Sequence, residues 1–223
     1  MHLLVVEDDS RLRGMLERLL LEDRHVVEVA ESGEDALDVI AGDCSLDAAD
    51  DDSPTEALRS VWRRYPSGVT RMRIAFAADH AGASLKNELI RRLRALGLDH
   101  EWIDLGGDGS DPEDDYPDFA QRLGESIVAG KADRGILICG SGVGASVAAN
   151  KIRGIRSAVC HDTYSAHQGV EHDDMNVLTL GSRVIGPEAA LECAVAFLGA
   201  TFSGEPRHRR RLGKILAIEA NGR

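Results

Sequence analysis

The chain has 223 residues, 43% of them apolar, with four cysteines and a formal net charge of −12. That length accommodates one large domain or a domain with an appendage, and the apolar share is that of a globular protein with a full core. The acidic balance argues against a nucleic-acid surface, and no apolar run approaches the ~20 residues that cross a bilayer. The start turns acidic at Glu7-Asp8-Asp9, too early for a secretory leader. Cys44, Cys139, Cys160 and Cys193 form no CxxC pair and no metal-finger spacing, so the expectation is a cytoplasmic protein with reduced thiols.

Charge divides the chain unevenly. Residues 1–71 carry a net −9 and the remainder a net −3. Residues 3–6 predict a short apolar strand that runs into Glu7-Asp8-Asp9. A helix follows, with Leu12, Leu16, Leu19 and Leu20 on one side. Residues 26–29 predict a second strand and 34–40 a second helix. This partial βαβα segment, residues 1–43, resembles the opening of a bacterial response-regulator receiver domain. The resemblance makes Asp8 and Asp9 counterparts of that family's metal-binding carboxylates. It ends near Asp43, because Cys44 to Ser53 offers no apolar strand to carry a phosphorylated aspartate. Two strands and two helices cannot close such a core, so a truncated remnant is expected rather than a phosphorylatable switch. Residues 44–71, with Pro54, Pro66 and Gly68, predict a linker with a short helix around 55–64.

From Met72 the pattern changes. Strands are predicted at 73–77, 101–105, 135–139, 156–160 and 177–180. Leu85, Leu89, Leu93 and Leu96 share one face of the first helix. Further helices are predicted at 118–129, from the glycine run through Asn150, at 187–198 and at 207–219. The alternation predicts an α/β domain over 72–223, a three-layer Rossmann-like parallel sheet with helices on both faces. Sites in such sheets lie beyond the carboxyl ends of the strands, where Asp79, His80, Cys139, His161 and the glycine loop fall.

The strand over 135–139 ends in Cys139 and opens into Gly140, Ser141, Gly142 and Gly144, then into a helix. A thiol beside a row of backbone amides suits proton removal from carbon, with the amides holding the developing negative charge. A buried structural cysteine is the commoner role for that residue type. A glycine turn also fits a nucleotide site, but no GxGxxG opens the domain's first turn, which argues against a dinucleotide cofactor. His161, His167 and His172 show no recognised ligand spacing, so no metal is expected. Arg207 and Arg211, four apart on one helical face, could clamp a phosphate or form a solvated basic turn.

Several motifs occur in order: Ile74-Ala-Phe-Ala-Ala-Asp79-His80-Ala-Gly82, Asp115-Tyr116-Pro117, Ile138-Cys139-Gly-Ser-Gly-Val-Gly144 and Ala148-Ala-Asn-Lys151. They continue with His172-Asp-Asp-Met-Asn176-Val-Leu, Gly181-Ser-Arg183 and Arg207-His-Arg-Arg-Arg211. Together they make residues 72–223 resemble the type B ribose-5-phosphate isomerases, in the wider group that includes galactose-6-phosphate isomerase subunits. The resemblance implies metal- and cofactor-free interconversion of an aldose phosphate and a ketose phosphate through an enediolate. It assigns Cys139 as catalytic base and Ser141 as the hydroxyl near the substrate oxygens, where many relatives have threonine. It assigns His172 to ring opening and Asp79 to substrate hydroxyls. His80 falls near the phosphate, which the Arg207 and Arg211 pair could clamp, with Arg183 able to join them. Gly140, Gly142 and Gly144 would let the backbone approach the substrate, and Asn176 would contact it. Asp173 replaces an asparagine frequent in the family. Ala145 stands where some relatives carry a glutamate base. The resemblance also implies a homodimer with sites shared between subunits. Ribose 5-phosphate is the expected substrate. The rivals are a galactose- or allose-6-phosphate isomerase and, in another class, a receiver-linked signalling protein that only binds a sugar phosphate.

Overall fold

The structure is a computed structural model that describes residues 2–6, 26–30 and 71–222. The chain divides into two compact units, Met1–Asp51 and Asp52–Arg223. In the first, strands β1 (His2–Val6) and β2 (Val26–Ala30) pair in parallel, His2 opposite Val26. These are the two strands the sequence predicts there. The intervening helices, the receiver-like arrangement with Asp8 and Asp9, and the linker over 44–71 lie outside the described residues.

The second unit is built on a five-stranded parallel sheet. Its strands are β3 (Arg73–Ala78), β4 (Glu101–Asp104), β5 (Arg134–Cys139), β6 (Ser157–Val159) and β7 (Val177–Gly181), in the order β4-β3-β5-β7-β6. Central strands β3, β5 and β7 are buried almost end to end. Strands apolar on both faces must be covered on both sides, and alternate residues supply the two cores. Ile74, Phe76, Ile136, Ile138, Leu178 and Leu180 pack against helices α1 (Ala83–Ala95), α4 (Thr163–Asp173) and α5 (Pro187–Gly199). Ala75, Ala77, Leu137, Cys139 and Val177 pack against α2 (Tyr116–Val128) and α3 (Val143–Ala149). The Leu85, Leu89 and Leu93 stripe of α1 is buried as its spacing predicts, each side chain stabilising the fold by about 1.5–3 kcal/mol. The last helix, α6 (Pro206–Asn221), buries only His208.

Helix α4 is the element that sequence periodicity does not reveal. It buries only Ala166 and Val170, and Gly169 sits inside it. Its start is set instead by Asp162, whose side chain accepts from the Ser165 amide at 2.7 Å, a cap worth about 1 kcal/mol. β6 is shorter than the predicted 156–160, an edge strand paired only to β7. No helix among the described residues is long and apolar enough to cross a membrane.

Candidate active site

The carboxyl ends of β3, β5 and β7 converge. Parallel register sets Ala78 beside Ile138 and Cys139 beside Gly181. The turn after β3 touches β5 directly: the Asp79 amide donates to the Ile138 carbonyl at 3.3 Å. Asp79 is buried, and its Oδ1 accepts from the Gly82 amide at 2.9 Å, which closes that turn.

Cys139 ends β5 with 4% of its surface exposed. Its Sγ accepts the Gly142 amide at 3.1 Å. Gly142 reaches this position in the left-handed region, at φ 81°, and caps α3. A side chain there would be strained by about 1–2 kcal/mol. Gly181 lies under the loop so closely that a Cβ on it would sit 2.6 Å from the Ser141 carbonyl. Ser141 itself is exposed, its Oγ accepting from the Val143 amide at 3.3 Å. The Arg183 side chain lies over Gly140, and the Tyr116 ring covers Gly144. The Arg183 guanidinium has no carboxylate partner among the described residues, so its charge is available to an anion. Cys160 and Cys193 are different: burial pushes their thiols up to about 11 and about 12, away from any role as a base near neutrality.

His80 is half-buried beside this cluster, with its Nδ1 2.7 Å from Asp114 Oδ1. Asp114 carries no local sequence signal, because it sits in an irregular acidic loop. The same holds for Ser182, whose Oγ donates to the Ala81 carbonyl at 2.7 Å and lies 3.3 Å from the Cys139 carbonyl. His161, which the sequence places at a strand end beside the site, accepts the Gly181 amide on Nε2 at 3.0 Å. These braces follow from which strand ends are neighbours, which no local pattern carries.

The remaining predicted residues lie away from these strand ends. Asn176 precedes β7, and its carbonyl accepts the amide of Gly135 at the start of β5, about 13 Å along the strand from Cys139. Its side chain ties the preceding turn, accepting from the Arg156 amide at 2.9 Å and donating to the Gly154 carbonyl at 2.9 Å. His172 lies in the last turn of α4. Its Nδ1 accepts from Gln168 at 2.9 Å, and its ring stacks on buried His208 with centroids 4.0 Å apart. Arg207 is exposed at the start of α6 and paired to Glu205 at 2.8 Å, with exposed Arg211 one turn on. A single chain therefore assembles Asp79, His80, Cys139, Ser141, Gly140, Gly142, Gly144 and Arg183. It holds His172, Asn176, Arg207 and Arg211 elsewhere.

A parallel α/β sheet whose strand ends carry a thiol, amides, a carboxylate, an imidazole and a free guanidinium is the framework of an enzyme acting on a small anion. A family profile described as Ribose/Galactose Isomerase matches residues 74–215, and the chain belongs to this family. It is 46% identical to ribose-5-phosphate isomerase B of Escherichia coli over 66% of this chain and 96% of that one. It is 45% identical to a D-erythrulose-4-phosphate isomerase of Pectobacterium atrosepticum over 59% and 85%. The solved ribose-5-phosphate isomerase B of Clostridium thermocellum is similar over 67% of this chain and 99% of that one, at 45% identity and a TM-score of 0.63.

Proposed function

We propose that residues 72–223 interconvert ribose 5-phosphate and ribulose 5-phosphate, with Cys139 as the base. The observation that carries this is the Cys139 sulfur at the end of β5, 3.1 Å from the Gly142 amide, with Asp79, His80, Ser141 and Arg183 around it. The sulfur, as thiolate, takes the proton from C2 of the open-chain aldose. The electron pair moves into a C1–C2 double bond, giving an enediolate whose charge the loop amides stabilise. The thiol then returns the proton to C1, while a proton passes from O2 to O1 past the Ser141 hydroxyl. Atoms and electrons balance within the sugar. Asp79 holds substrate hydroxyls, and His80 and Arg183 bind the phosphate.

His172, Arg207 and Arg211 join this site from a second copy. His172 serves ring opening, and Arg207 and Arg211 bind the phosphate. The homodimer reading is supported by apolar surface left open beside both groups: Val143 and Val147 on α3, and Ile215, Leu216 and Ile218 on α6. Asn176 is reassigned from substrate contact to the turn it ties. Assay of the purified protein with ribose 5-phosphate, D-erythrulose 4-phosphate and galactose 6-phosphate tests the substrate. The highest kcat/KM should fall to ribose 5-phosphate; preference for either rival would replace that reading.

A further inference from the structure

His80 is gripped twice by one carboxylate. Asp114 Oδ1 accepts from the His80 backbone amide at 2.8 Å and lies 2.7 Å from ring Nδ1. An ionised carboxylate only accepts, so Nδ1 carries the proton and donates. The two bonds together fix the residue's backbone and its ring plane. Ring Nε2 has no hydrogen bond among the described residues.

The loop that delivers Asp114 is anchored along its start. Asp104, which ends β4, takes the ammonium of fully buried Lys86 on one oxygen and the Gly106 amide on the other at 2.9 Å. Gly107 then presses on β3 so closely that a Cβ would sit 1.7 Å from the Ala78 carbonyl. Arg122 donates to the Leu105 carbonyl at 2.7 Å. These bonds hold the start of the loop, and a turn from Asp111, whose carbonyl accepts the Asp114 amide at 3.4 Å, leads to the carboxylate at the imidazole.

We propose that Asp114 is the positioning residue for His80, holding the imidazole through Nδ1–H so that Nε2 meets the substrate phosphate and supplying the counter-charge that keeps the imidazolium available to it. This rests on the placement of His80 at the phosphate. A histidine whose second nitrogen is fixed by a carboxylate has a set tautomer and a more basic free nitrogen. Asp114 from the loop, first by its hydrogen bond, and Asp79 from the end of β3 raise the imidazole above its ordinary value, against a smaller opposing effect of desolvation. The ring is then cationic further into the pH range where the phosphate is a dianion.

The test uses the full chain. Ring nitrogen shifts of His80 are read by NMR across pH in the parent protein and in Asp114→Asn, with His80→Asn as the assignment control. KM for ribose 5-phosphate is measured across the same range. The parent should show the Nδ1–H tautomer above its midpoint. Asp114→Asn keeps an acceptor but loses the charge. The midpoint should therefore fall, and KM at a pH between the two midpoints should rise about tenfold, as for loss of one charge-assisted contact. The two KM curves should converge as the pH falls below both midpoints, where both imidazoles are protonated, with kcat changed less than about threefold. An Nε2–H tautomer in the parent, an unmoved midpoint in the variant, or a KM raised equally at every pH would overturn the proposal. The parent's tautomer decides the geometry even should the variant fail to fold. If His80→Asn leaves KM unchanged, the phosphate placement of His80 falls and the proposal falls with it. If His80→Asn raises KM while Asp114→Asn keeps the parent's pH profile, only the proposal falls.

Discussion

Ser182 Oγ donates to the Ala81 carbonyl at 2.7 Å, pinning the end of β7 to the turn after β3. The same residue's amide donates to the Cys139 carbonyl at 2.9 Å, so the brace passes beside the proposed base. Ser182→Ala leaves the Ala81 carbonyl without this partner. It should cost about 1 kcal/mol of stability in a urea titration, the net worth of one such bond. It should also lower kcat/KM about tenfold, because the reacting groups are held by those two turns. A variant with reduced stability and parental kinetics would show the brace to be structural alone.

Gly181 is the tightest point under the glycine loop. In Gly181→Ala the new methyl would lie 2.6 Å from the carbonyl carbon and oxygen of Ser141. Both are backbone atoms, so the loop itself must move and the Gly142 amide with it. Turnover should fall at least about 100-fold, as it does when catalytic groups are displaced by an ångström, while far-ultraviolet circular dichroism stays native. Parental turnover would mean the loop can shift without consequence.

A shared site makes a prediction no single-chain site makes. Cys139→Ala and the double variant Arg207→Ala/Arg211→Ala should each be poorly active alone. Mixed and allowed to exchange subunits, they form hybrid dimers in which one site receives both intact sets. About a quarter of parental activity should return at equal amounts, since half the dimers are hybrids with one good site of two. No recovery despite proven exchange would place all these residues in one chain's site or put the arginines outside it.

The division of the chain is tested by a protein starting at Met72. It should fold, dimerise and retain full isomerase activity, and residues 1–71 alone should lack a cooperative unfolding transition and take no phosphate from acetyl phosphate. Loss of solubility, or a severalfold change in activity, would make the first 71 residues a working part of the enzyme.

Much of this was legible in the sequence, and the limits have physical causes. The central strands β3, β5 and β7 are largely apolar runs, because both faces are buried, and Leu85, Leu89 and Leu93 repeat at helical spacing. Cys139 and its glycines are contiguous, so the core of the site could be read locally. Helix α4 was missed because it is set by the Asp162 cap and buries only two side chains. Asp114 and Ser182 were missed because their partners, His80 and Ala81, lie 34 and 101 positions away. Asn176 shares a motif with His172, but it spends its hydrogen bonds on the Gly154–Arg156 turn.

The most direct measurement of the central claim is single-enzyme kinetics of ribose 5-phosphate isomerisation with the parent protein and Cys139→Ala, with substrate binding followed by calorimetry. The parent should convert ribose 5-phosphate to ribulose 5-phosphate. The variant should bind the sugar phosphate with similar affinity, while kcat falls by at least about 100-fold, the loss typical of removing a proton-transfer base. Near-parental turnover by Cys139→Ala would contradict the account.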